Sequence, residues 1–156
     1  MKLSADSHRQ LEDFFREYFG DENLKLPEIQ IYARRGSYLV TKLLSVDGIA
    51  FGRHIFITPR CLRRTPDDRL CAPRELIVHE VTHTMQYGRH GVFKFFYLYL
   101  KGFLAALRQK ESWNFQARLK AYLEIPQEIE ARALAAEYVN WCERRETYFS
   151  SSINSK

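Results

Sequence analysis

The chain has 156 residues, enough for a single domain with a buried core. Apolar residues make up 46% and aromatic residues 14%, which excludes a disordered or low-complexity chain. The net charge of +5 admits nucleic acid or anionic lipid as partners, but no dense Lys/Arg block stands out, so a soluble protein with a basic surface is the simpler expectation. Cys61, Cys71 and Cys142 are odd in number and lack C-x-x-C spacing, so reduced thiols are expected. The amino terminus has no apolar signal core, which predicts a cytoplasmic protein or one exported by a non-classical machine.

Within residues 1–22, Ser7 and Gln10 have the form of a capping box, and Leu11, Phe14, Phe15, Tyr18 and Phe19 recur at helical spacing up to Gly20. That stripe is expected to face the core. Alternation over Glu28–Ala33 predicts a strand, Arg34–Ser37 a turn and Tyr38–Thr41 a second strand. After a turn at Val46-Asp47-Gly48, residues 49–58 read as a strand ending at Pro59, with His54 in a structural role. Residues 60–72 read as a basic loop, and a helix is expected from about Pro73 to Tyr87, closed by Gly88. The aromatic stretch Val92–Leu107 is too short and too charged for a membrane span; it predicts a helix covering a site, with peripheral membrane contact as an alternative. Residues 111–124 predict a helix or helix-loop. Pro126 opens a long helix to about Arg145, and residues 148–156 are expected to form a flexible tail. No repeat, linker or domain boundary interrupts the chain, so residues 1–156 read as one domain.

The chemistry centres on His79-Glu80-Val81-Thr82-His83. Residues four apart lie on one face of a helix, so His79 and His83 can aim two imidazoles at one point. Two imidazoles so placed suit a tetrahedral Zn²⁺, and the intervening glutamate can reach a water beside it. A catalytic zinc takes three protein ligands. The sequence offers two sources for the third: the acidic start of the last helix, Pro126-Gln127-Glu128-Ile129-Glu130-Ala131-Arg132, and His90. The metzincin pattern requires glycine at 86 and histidine at 89, where this chain has Gln86 and Arg89, and so is excluded.

The run His79–Tyr87, an aromatic helix and then Pro126–Arg132 together resemble the gluzincin branch of the zincin metallopeptidases. The likeness is greatest to small bacterial peptidase domains with H-E-x-x-H-x-x-Q and a downstream P-x-E-x-E-A-R helix. Residues 51–57 resemble the strand that such domains place before the metal helix, and the similarity covers roughly residues 46 to 137. The resemblance implies an α+β, zincin-like fold, mostly helical with a small sheet before the metal helix. It implies Zn²⁺ held by His79, His83 and Glu128, with Glu80 as general base. Glu130 remains the alternative ligand; the two glutamates point about 200° apart on a helix. Relatives often carry Asp or Asn where this chain has Arg132, so the partner of a zinc histidine is left unassigned.

The implied activity is hydrolysis of peptide bonds in a protein or peptide substrate, with Tyr122 or His90 as candidate donors to the oxyanion and the strand at 52–58 as a candidate edge for substrate. Two alternatives stand beside it. His90-Gly91-Val92-Phe93-Lys94 resembles the H-G-x-x-F-K element of SprT-like, DNA-associated proteases, with His90 as third ligand. The other is a zincin-shaped domain used for binding or as an effector, without catalysis.

Overall fold

Ser4 takes an extended backbone, and its hydroxyl oxygen accepts the Ser7 backbone N–H at 3.1 Å. In this computed structural model, which describes residues 3–33, 41, 46–66 and 70–154, with side chains to 147, that bond caps helix α1, Ala5–Phe19. The cap thus falls three residues before the expected Ser7, which lies inside the helix. Gly20, at φ 64°, ends it as expected. Leu11, Phe14 and Phe15 are buried, whereas Tyr18 and Phe19, expected in the same stripe, are largely exposed.

Three short strands form a mixed sheet: β1 (Gln30–Tyr32), β2 (Gly48–Phe51) and β3 (His54–Ile57). β3 is central, parallel to β1 and antiparallel to β2, with Ile55 opposite both Ile31 and Ala50. The run 49–58 is therefore a hairpin, not one strand. Gly52, at φ 57°, provides the reversal that a residue with a Cβ would resist. The pleat buries Ile31, Ala50, Ile55 and Ile57 on one side. On the other, Tyr32 stacks on Phe56 with ring centroids 5.0 Å apart and its hydroxyl lies 3.2 Å from His54 Nδ1, a structural setting for that histidine. The expected turn at Arg34–Ser37 and most of the expected strand Tyr38–Thr41 lie outside the described residues; Thr41 itself is helical and buried. The expected loop at 60–72 contains a 3₁₀ turn, Pro59–Cys61, and a two-stranded ribbon of β4 (Arg63–Arg64) and β5 (Leu70–Cys71).

Helix α2, Arg74–His90, begins just after Pro73 and continues through Gly88, three residues beyond the expected end. Gly91, at φ 72°, breaks it instead and redirects the chain into α3, Val92–Arg108. Asn114 accepts the Ala117 N–H at 2.9 Å and caps α4, Phe115–Leu123. Pro126 then opens α5, which runs past Arg145 to Asn154, so the expected tail is helical to that point. α2 packs against β2 and β3 on one side and α5 on the other, which leaves Val78 and Val81 fully buried. α1 closes the far side of α5: Phe14 meets Tyr138 and Trp141 edge-on at 5.1 and 5.7 Å, and the indole N–H of Trp141 donates to Glu17. A second apolar cluster, Ala106, Leu107, Ala117 and Ala121, joins α3 to α4. The result is α+β, with helices predominating over a small mixed sheet. Among the described residues no helix is long and apolar enough to cross a membrane.

Candidate metal centre

The helical period brings His79 and His83 to one face of α2, with Nε2 atoms 3.1 Å apart and rings nearly perpendicular. Glu128, in the first turn of α5, reaches both: Oε2 is 3.3 Å from His79 Nε2 and Oε1 is 3.3 Å from His83 Nε2. Among the described residues these three form the group that could hold a metal ion. Four ligands at about 2.0–2.1 Å around a tetrahedral Zn²⁺ stand about 3.3 Å from one another, close to the three distances seen. Glu128 is 2% exposed and its Oε2 lacks a hydrogen-bond donor, a buried acceptor that a cation would satisfy. The residues present therefore fit a divalent ion with nitrogen and oxygen ligands.

Glu130 points elsewhere, accepting from Gln86 Nε2 at 2.9 Å and from Arg89 at 2.6 Å. His90, at the last turn of α2, is not part of the cluster. Arg132 donates to the backbone carbonyl of Leu123 and does not serve either histidine. The partner of His83 is instead Gln86, whose side-chain oxygen lies 2.8 Å from Nδ1. Its amide nitrogen donates to the Gln127 carbonyl at 3.1 Å, tying α2 to the start of α5.

Glu80 faces the same space from α2 and is 3% exposed. The Ala50 backbone of β2 hydrogen-bonds to it, while Oε2 has no partner. Gly48 makes room: a Cβ there would lie 2.6 Å from Glu80 Oε1. Burial pushes the Glu80 carboxyl up to about 7, against the opposing pull of His83 and His79. Burial likewise disfavours ionised Glu128, but the imidazoles of His79 and His83 beside it prevail and hold it well below the usual carboxylate range. Burial would lower His83, yet the Glu128 hydrogen bond and charge carry it above its ordinary value. Tyr99 donates to Glu128 Oε1 at 2.8 Å, and the Tyr122 hydroxyl also interacts with that carboxylate.

These groups line a cavity of about 630 Å³ between β2, α2, α3 and α4. Its remaining wall is largely aromatic and aliphatic, including Tyr87, Phe95, Phe96 and Leu119. Gln86 and Tyr99 were not assigned roles from sequence. Gln86 lies three residues after His83, on a neighbouring face of the same helix, a spacing that could have revealed it. Gly48 and Ala50 gave no such signal, because their contribution is backbone and empty space. Comparison with protein-family models, with curated proteins and with solved structures finds no match to this chain.

Proposed function

We propose that the chain is a zinc-dependent peptidase with a zincin-like fold, its metal held by His79, His83 and Glu128. The observation that supports this best is the position of Glu80, a buried carboxylate with an unpaired oxygen, in the same cavity as the three metal-ligand candidates. A bound zinc ion supplies Lewis acidity, making water nucleophilic at neutral pH and polarising a carbonyl.

The chain's own residues do the rest. Glu80, poised near neutrality, accepts the proton of the attacking water and delivers it to the leaving amine nitrogen. Gly48 and the Ala50 backbone hold that carboxylate in place. Gln86 fixes His83 through Nδ1 and leaves Nε2 facing Glu128. Tyr122, on the cavity wall beside Glu128, is the phenol placed to donate to a developing oxyanion; His90 does not line the cavity.

The substrate edge differs from the expected one. β3 is paired on both sides, whereas among the described residues β2 is an edge strand and lines the cavity, so an extended peptide would add along Gly48–Phe51. The aromatic wall suits bulky apolar side chains next to the scissile bond. A panel of unfolded proteins incubated with the purified chain tests the reading. Cleavage abolished by a chelator and restored by zinc is expected; cleavage indifferent to chelator, or none with zinc bound, contradicts it.

A further inference from the structure

α3 and α4 carry an outward surface, most of which lies outside the site. Phe93, Tyr97, Leu100 and Leu104 follow one another at steps of four, three and four, which places them in a single stripe along α3. Phe93 is 93% exposed, Tyr97 64% and Leu100 57%. Lys94, Lys101 and Arg108 recur every seven residues and form a cationic row along one edge of that stripe. Trp113 and Phe115, 67% and 63% exposed, extend the apolar surface to the start of α4.

Charge narrows the partner. From Val92 to Leu123 the acid Glu111 stands alone against Lys94, Lys101, Arg108, Lys110, Arg118 and Lys120. Among the described residues only Lys110 of these cations is paired with a carboxylate, Glu124. A second copy of the chain would bring the same cations to a two-fold interface, where they repel. A surface both apolar and anionic complements the row and the stripe together. We infer that the exposed face of α3 and the start of α4 dock on an anionic lipid bilayer, with Phe93, Tyr97 and Leu100 entering the headgroup boundary and Lys94, Lys101 and Arg108 meeting lipid phosphates. Phe96 and Phe115 belong to both the cavity wall and this exposed surface, so docking would set the cavity mouth beside the membrane. The inference does not depend on the peptidase reading.

Flotation of the full chain with phosphatidylcholine vesicles, and with vesicles also containing phosphatidylserine, tests it. The chain is expected to float with the anionic vesicles and to be released by high salt. The pair Lys94→Gln and Lys101→Gln should lower partitioning about 30-fold, from about 1 kcal/mol for each lysine. Phe93→Ser with Leu100→Ser should abolish flotation while circular dichroism and zinc uptake stay as in the parent. Absence of flotation, or equal flotation of parent and variants, overturns the inference. So does self-association that Phe93→Ser removes in a chain that ignores vesicles, which assigns the face to a second copy.

Discussion

The side-chain oxygen of Gln86 lies 2.8 Å from Nδ1 of His83, a contact that orients the imidazole ring. The Gln86 amide nitrogen donates to Gln127 and Glu130, so its oxygen must accept. Nδ1 then carries the hydrogen that points at Gln86, and with zinc bound the Nε2 lone pair would be left for the ion. Gln86→Leu removes the acceptor without touching a ligand. Zinc affinity, measured by competition with a chromophoric chelator, should fall about 10- to 100-fold. An unchanged affinity would show that Gln86 has no part in orienting His83.

Glu80 and His83 should separate chemistry from binding. Glu80→Gln is expected to retain zinc and lose about 10²- to 10⁴-fold in hydrolysis rate, since it keeps the shape but not the base. His83→Ala should lose metal and activity together. Steady-state hydrolysis and metal content on the same preparations check both; full activity in Glu80→Gln contradicts the assigned role.

Gly48 supports the Glu80 carboxylate from a different element. Gly48→Ala places a methyl 2.6 Å from Glu80 Oε1, in a space already closed around a 3%-exposed carboxylate. Displacing the base by about 1 Å should cost about 10²-fold in hydrolysis. Zinc content should stay as in the parent, because no ligand moves. Loss of zinc in Gly48→Ala would mean that β2 positions the ligands and not only the base.

The metal-free protein should be pH-sensitive in a definite direction. Glu80 is raised from 4.5 to about 7, so its contribution to stability is full below the unfolded value and is lost as pH rises through about 7. His83 is raised from 6.5 and behaves in the same sense: its contribution is present below 6.5 and lost above. Glu128 is lowered, so its contribution is present above 4.5 and lost as pH falls. The melting temperature of chelated protein should therefore decline between about pH 5 and about pH 7, and Glu80→Gln should flatten that decline. Zinc should reverse the trend near neutrality, because its ligands must be deprotonated. A chelated protein that gains stability steadily over this range would contradict the buried, proton-holding Glu80.

Much of this arrangement was legible in the residues. Spacing by four placed His79 and His83 together, and the two-residue offset of Glu128 and Glu130 foretold that they part: one meets the histidines, the other meets Gln86 and Arg89. The aromatic, apolar run Val92–Leu107 located α3, and Pro126 marked the start of α5. The hairpin at Gly52 was hidden because apolar residues run continuously across it, so composition alone reads one strand. The two helices run on past Gly88 and Arg145 through largely exposed residues, the first until Gly91 breaks it. Gly48 and the Ala50 backbone act through tertiary placement, which no spacing within one element announces.

The central claim is a metal held by two rings of α2 and one carboxylate of α5. Metal content of the purified parent, Glu128→Ala and Glu130→Gln, determined by atomic absorption after dialysis, tests it most directly. One zinc per chain is predicted for the parent and for Glu130→Gln, and close to none for Glu128→Ala. A parent that takes up no zinc, or a chain that loses zinc with Glu130→Gln and keeps it with Glu128→Ala, would contradict the account.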